Sequence, residues 1–282
     1  MRKFMIRFDQ KNGAFLPFML NVLLVWGLLF NVGLVRAGNG TSGVDARAGS
    51  SDYDVYLLIG QSNMAGRGKM IASDTLVSIK GVWLLNPQGE PEKAVAPLNK
   101  YSTIRKGISI QQMCPGNSFS KVMHEKTGRK ILLVVNARGG TNLKAWMPGA
   151  EEGYLNEAVM RTKEAMKYGK LKGILWHQGE SNSGDMAGYM ENLAVFVAEL
   201  RKQLDAEDVP FIASEIAPWH RNRERFNPVI QTIGQHITNS DWVSSKGCGM
   251  LKDEKDSHFS REGQLLLGER YAEKMLEMLG NM

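Results

Sequence analysis

The stretch "VYLLIGQSNMAGRG", Val55 to Gly68, decides the reading of the fold. Five consecutive apolar residues, Val55 to Ile59, carry no polar alternation, as expected of a strand buried on both faces of a sheet. The run stops at Gly60, and Ser62 follows between Gln61 and Asn63. A serine there either caps a short helix or stands as a nucleophile at the carboxyl end of the strand. Similar runs recur at Ile131–Asn136, Gly173–His177 and Val209–Ser214, with a weaker one near Trp242–Ser244. Helical spacing lies between and after them. Phe119, Val122 and Met123 mark a short helix capped by Asn117 or Ser118. Tyr189, Leu193, Phe196, Val197, Leu200 and Leu204 mark a long one, and Leu265 to Leu279 a closing one. Strands alternating with helices predict βαβ units, a mostly parallel sheet and an α/β fold.

The chain of 282 residues suits one sizeable domain, and its 23% charged and 43% hydrophobic residues are ordinary for a globular protein. Part of the net charge of +6 sits in Arg2, Lys3, Arg7 and Lys11, and no dense basic stripe with interleaved aromatics follows. Nucleic acid is therefore not an expected partner. The basic start, the apolar stretch from Ala14 to Val35 and the small residue Ala37 read as a secretory signal over 1–37. The alternative is an uncleaved membrane anchor, against which Pro17, Asn21, Gly27 and Asn31 interrupt the stretch. A flexible Gly/Ser/Ala-rich lead-in over 38–52 then precedes one domain over 53–282. The expected location is secreted or periplasmic. The two cysteines, Cys114 and Cys248, are compatible with one disulfide, and neither their spacing nor the histidines suggest a metal site.

In an open parallel sheet, ligands bind beyond the carboxyl ends of the strands. Three polar clusters fall on that rim: Gly60-Gln61-Ser62, Asn136 to Thr141, and Trp176 to Ser181. Acyl transfer needs a nucleophile, a base, an acid and donors to the oxyanion. Ser62 offers the hydroxyl, Gly140 (or Gly139 beside it) a backbone N–H, and Gln178 a side-chain amide. Among the five histidines, His124 reads as a surface residue, and His220 and His236 lack a partnering motif. His177 reads as a brace at a strand end. His258, in "DEKDSHFSREG" with Asp253, Glu254 and Asp256 close by, is the candidate base.

Together "GQSNM", "NARGGT", "WHQGES" and "DSHF" resemble the SGNH hydrolases, and more narrowly the sialate O-acetylesterase and carbohydrate esterase family 6 branch. The resemblance spans roughly Asp54 to Leu279. It implies a three-layer, flavodoxin-like α/β/α domain with a five-stranded sheet, and hydrolysis of acetyl esters on sugars without metal or other cofactor. Carried over, Ser62 is nucleophile and first oxyanion donor, Gly140 the second donor, Gln178 the third and His258 the base. The acid departs from the usual pattern, because Lys255 stands three residues before the histidine. Glu180 is ranked ahead of Asp256, since a residue two positions before His258 reaches its Nδ1 only from a bent loop. Trp146 and Trp219 are candidates for a sugar platform, and Arg67 and Arg138 for meeting an acidic sugar carboxylate. The expected partner is an acetylated carbohydrate, with the membrane a partner only if the leader stays uncleaved. The sequence leaves the oligomeric state open. A non-catalytic carbohydrate-binding protein on the same fold, or an esterase for other acyl esters, are the alternatives.

Overall fold

The computed structural model describes residues 52–280. The expected leader over 1–37 and the lead-in up to residue 51 lie outside the described residues. The elements in chain order are β1 (Tyr53–Gly60), α1 (Ser62–Ala65), α2 (Ala72–Leu76), β2 (Val82–Leu85), β3 (Pro91–Lys93), α3 (Gly116–Thr127), β4 (Lys130–Ala137), α4 (Tyr154–Met166), β5 (Gly169–His177), α5 (Tyr189–Gln203), β6 (Phe211–Ser214), α6 (Arg223–Ile230), α7 (Ile233–His236), β7 (Ser240–Val243) and α8 (Arg261–Gly280). Short 3-10 turns at Leu98–Tyr101 and Leu143–Trp146 interrupt the loops.

The strands form one sheet in the order β3-β2-β4-β1-β5-β6-β7. Every pairing is parallel except β2 with β3. The five predicted strands are all present. The sheet nevertheless has seven strands rather than the five implied by the family resemblance, because Gly81 is followed by a four-residue strand, β2, that returns as the edge strand β3. Asn86 builds the turn between them, its Oδ1 accepting from the N–H groups of Gln88 and Glu90 at 2.9 Å each. Pro91 opens the edge strand, where its missing N–H leaves no gap inside the sheet.

Alternation along β1 shows why the run carries no polar residue. Val55, Leu57 and Ile59 enter one core with Leu155 and Ala158 of α4 and Leu193 and Phe196 of α5. Tyr56 and Leu58 enter the other with Phe119 of α3 and Leu267, Tyr271 and Met275 of α8. Both faces are therefore covered, giving three layers with β1 at the centre. Each buried aliphatic side chain of this kind contributes about 1.5–3 kcal/mol relative to exposure. The helix expected at Phe119 runs from Gly116, with Pro115 rather than Asn117 or Ser118 at its cap.

Cys114 and Cys248 are buried as free thiols. Burial pushes the Cys114 thiol up to about 12 and the Cys248 thiol up to about 11. Both should therefore resist a thiol reagent in the native protein and titrate fully on denaturation without reductant; finding no free thiol after denaturation would mean that the pair is bridged.

Candidate active site

The chain leaves β1 for the β2 side, fills the gap with β4, and then crosses to β5 on the other flank. The carboxyl ends of β4, β1 and β5 thus lie side by side at the switch point, where an α/β sheet opens a crevice. Gly60 (φ +131°) makes the exit from β1; a Cβ there would stand 2.2 Å from the His177 carbonyl oxygen, so only glycine fits. Ser62 then opens α1, where first-turn N–H groups have no acceptor within the helix.

Ser62 Oγ lies 2.9 Å from His258 Nε2, and His258 Nδ1 lies 2.5 Å from Asp256 Oδ1. Asp256, not Glu180, therefore stands behind the histidine, which reverses the ranking made from the sequence. The bent loop that this requires is built by two successive Asx turns. Asp253 Oδ1 accepts from the Lys255 N–H at 2.9 Å, and Asp256 Oδ1 from the His258 N–H at 3.1 Å. One carboxylate oxygen thus fixes both the backbone and the ring of His258. Around it the loop is closed by Leu251 N–H to His258 O (2.9 Å) and Ser260 N–H to Gly249 O (2.8 Å). Trp219 Nε1 donates to the Asp256 carbonyl at 2.8 Å, and its ring meets Phe259 edge-on at 5.5 Å. Trp219 is thus a support of this loop.

Glu180 lies elsewhere. Its Oε1 accepts from Asn63 Nδ2 at 2.7 Å and stands 3.2 Å from His177 Nε2. Burial pushes its carboxyl up, but the His177 imidazole and the hydrogen bonds from His177 and Asn63 outweigh this and hold it below its ordinary value. His177 is fully buried and braces Glu180, as the sequence reading expected of it. His124 Nδ1 pairs with the Arg129 carbonyl, and His220 Nδ1 accepts from the Asn222 N–H.

The Gly139-Gly140 turn abuts the serine. A Cβ on Gly139 would press on Ser62 Cβ at 3.3 Å and displace the end of the Arg67 side chain, 2.6 Å away, so the turn lies directly against the nucleophile. Gly140 adopts φ +74° with Lys106 Nζ beside it. Gln178 departs from the expected role of third oxyanion donor. It is fully buried, and its Nε2 is engaged by Asn182 Oδ1 (2.7 Å), the Thr141 carbonyl (3.1 Å) and Gln61 Oε1 (3.3 Å). Its Oε1 accepts from Tyr189 Oη at 2.9 Å. An amide with two protons committed this way ties the glycine turn to the Gln61 loop. Trp146 likewise is no sugar platform. It is fully buried against Trp176, Tyr154 and Phe196, its Nε1 donating to Thr141 Oγ1 at 3.1 Å. Arg138 spends Nη1 on the Ile104 carbonyl (2.7 Å) and lies over the Tyr154 ring, bracing two loops.

Two cations stand by the glycine turn without a carboxylate. Arg67 donates Nη1 to the Gly66 and Ile110 carbonyls at 2.6 and 3.1 Å, and burial pulls its guanidinium below the ordinary value. Among the described residues the lysines and arginines in ion pairs are Lys100, Lys121, Arg129, Lys167, Lys202, Arg223, Arg261 and Lys274, so neither Arg67 nor Lys106 is neutralised. Segments 55–73, 93–124 and 126–150, which contain Arg67, Lys106 and the glycine turn, contain no Asp or Glu. A further cleft of about 840 Å³ between α2, α3 and α8, lined among others by Asp74, His124 and Arg261, includes no residue of the Ser–His–Asp set.

A mostly parallel α/β sheet that carries Ser–His–Asp at its switch point has the arrangement of a serine hydrolase working through an acyl-enzyme. Comparison with known proteins narrows the class. The model of the family described as "Carbohydrate esterase, sialic acid-specific acetylesterase" matches residues 52–277. A probable carbohydrate esterase of Arabidopsis thaliana is 28% identical over 241 residues, covering 79% of this chain and 90% of that protein. An X-ray structure of an Arabidopsis thaliana protein superposes with a TM-score of 0.71 at 25% identity, covering 80% of this chain and 98% of that one. A carbohydrate acetylesterase from Xanthomonas citri shares the fold with a TM-score of 0.56 at 19% identity, over 81% of this chain and 57% of that one. The chain belongs to the carbohydrate esterase, sialic acid-specific acetylesterase family, and is a carboxylic ester hydrolase that removes O-acetyl groups from carbohydrates.

Proposed function

We propose that the enzyme is exported and deacetylates a sugar bearing a carboxylate, through an acetyl-enzyme formed on Ser62. The observation that carries the chemistry is the continuous chain Ser62 Oγ, His258, Asp256, at 2.9 and 2.5 Å. In this reading Ser62 Oγ attacks the acetyl carbonyl as His258 Nε2 takes its proton. Asp256 holds the imidazole in the tautomer that leaves Nε2 free to accept, and stabilises the imidazolium that forms. The oxyanion meets the N–H groups of Ser62 and Gly140. His258 then returns the proton to the departing sugar hydroxyl, and water, activated by the same imidazole, releases acetate.

The carboxylate preference is supported by the Arg67 guanidinium and the Lys106 ammonium, which flank the glycine turn and form no ion pair among the described residues. A guanidinium edge suits the planar, two-oxygen geometry of a carboxylate. Export is supported by the basic, then apolar, then small-residue pattern over 1–37. The test is acetate release from O-acetylated sialoside and from acetylated xylan, by the wild type and by Arg67→Gln. A charge-assisted hydrogen bond is worth about 1.5–3 kcal/mol. The substitution should therefore lower the sialoside-to-xylan ratio of kcat/KM by about 10- to 100-fold. An unchanged ratio would remove Arg67 from substrate selection.

A further inference from the structure

Asn63 follows the nucleophile in sequence, yet its side chain serves the base. Its Nδ2 donates to Glu180 Oε1 at 2.7 Å and to the Ser257 carbonyl at 3.1 Å. Its Oδ1 accepts from the Phe259 N–H and from Gln264 Nε2, both at 3.3 Å. Ser257 and Phe259 are the chain neighbours of His258, so a single amide holds the backbone on both sides of the histidine.

Glu180 makes the shortest of the contacts that set which way that amide faces, together with the Ser257 carbonyl and the Phe259 N–H. A carboxylate only accepts hydrogen bonds, so Asn63 must turn its NH2 group toward it. The Asn63 carbonyl oxygen is then left facing the Phe259 N–H, as the loop requires. Reversing the amide would set its oxygen against the Glu180 carboxylate and the Ser257 carbonyl, and its NH2 against the Phe259 N–H, three repulsive contacts in a buried site. Glu180 is itself fixed: its side chain is 7% exposed, it pairs with the fully buried His177, and the His177 ring meets Phe259 edge-on at 5.7 Å. The Nδ1 of His258, where a catalytic acid would have to sit, is already taken by Asp256.

We infer that Glu180 is a positioning residue, acting on His258 through Asn63 by holding the amide in the one orientation that clamps the Ser257–Phe259 backbone. The inference rests on the esterase reading for its substrate assay, though not for its geometry. Misplacing a catalytic group by about 1 Å costs on the order of 100-fold. Removing the clamp at either residue should therefore cost about 10- to 100-fold in kcat, and little in KM.

The experiment is a double-substitution cycle of Glu180→Gln and Asn63→Ala, with kcat on an acetyl ester referred to the serine titrated by a fluorophosphonate. Because Glu180 acts through Asn63, the double variant should be no slower than Asn63→Ala alone, within about twofold. Losses that multiply would mean that Glu180 acts on the reaction by another route and would overturn the inference. The same cycle, read as the rate of fluorophosphonate labelling of Ser62, needs no acetyl substrate. Absent acetate release with non-multiplying labelling losses would therefore sink the esterase reading alone. Thermal melts accompany each variant. Should Glu180→Gln fail to fold, a folded Asn63→Ala with wild-type kcat overturns the clamp, and a 10- to 100-fold loss at unchanged KM supports it.

Discussion

Ser62→Ala is expected to lower kcat for acetate release by about 10⁴- to 10⁶-fold while leaving the fold in place. The size follows from the geometry: Ser62 Oγ is the hydroxyl that His258 Nε2 meets at 2.9 Å, and the acetyl-enzyme cannot form without it. Donors to the oxyanion survive the change, so a residual rate above that of water should remain. Stability should shift by only about 1 kcal/mol, since the substitution removes a single partly buried hydrogen bond. Initial rates of acetate release beside a thermal melt check both halves. A variant that keeps a tenth or more of wild-type kcat would mean that the ester is cleaved without Ser62.

The next largest effect belongs to Asp256→Asn, with an expected loss of about 10³- to 10⁴-fold in kcat. An asparagine there can turn its NH2 toward Nδ1, which makes Nδ1 the acceptor and leaves Nε2 protonated, unable to take the proton of Ser62. Turning it the other way keeps the oxygen on Nδ1 but removes the charge that stabilises the imidazolium. Either way the Asx turn that sets the His258 backbone loses its carboxylate acceptor. Glu180→Gln should cost about one to three orders of magnitude less than Asp256→Asn, because its influence runs through Asn63. Steady-state kinetics on both variants fix the order. A Glu180→Gln loss exceeding that of Asp256→Asn would restore the glutamate as the acid.

The parts of this site legible in the sequence are those set by local pattern. The unbroken run Val55–Ile59 reports that both faces of β1 are buried, and its abrupt end at Gly60 places Ser62 on the carboxyl rim. His258 stands in a polar loop just before the closing helix, and the structure brings it to Ser62 across 196 positions of chain. β2 escaped notice because a four-residue strand between Gly81 and Asn86-Pro87 is too short to show a period. Linear spacing alone places Asp256 second, because it does not show the bend that brings a residue two positions away onto Nδ1. The signal was present in "DEKDSH", where an aspartate two residues before a backbone N–H favours an Asx turn. The roles of Gln178, Trp146 and Asn63 were not legible. Each is decided by partners distant in sequence: Thr141 and Gln61 for Gln178, Trp176 and Phe196 for Trp146, and Glu180, Ser257 and Phe259 for Asn63.

The most direct measurement is rapid-quench mass spectrometry of the peptide containing Ser62 during turnover of an O-acetylated sugar. A transient peptide heavier by one acetyl group, with fragmentation placing that group on Ser62 and absent from Ser62→Ala, is the predicted result. Turnover without any acetyl group on Ser62, or with the acetyl group on another residue, would contradict the account.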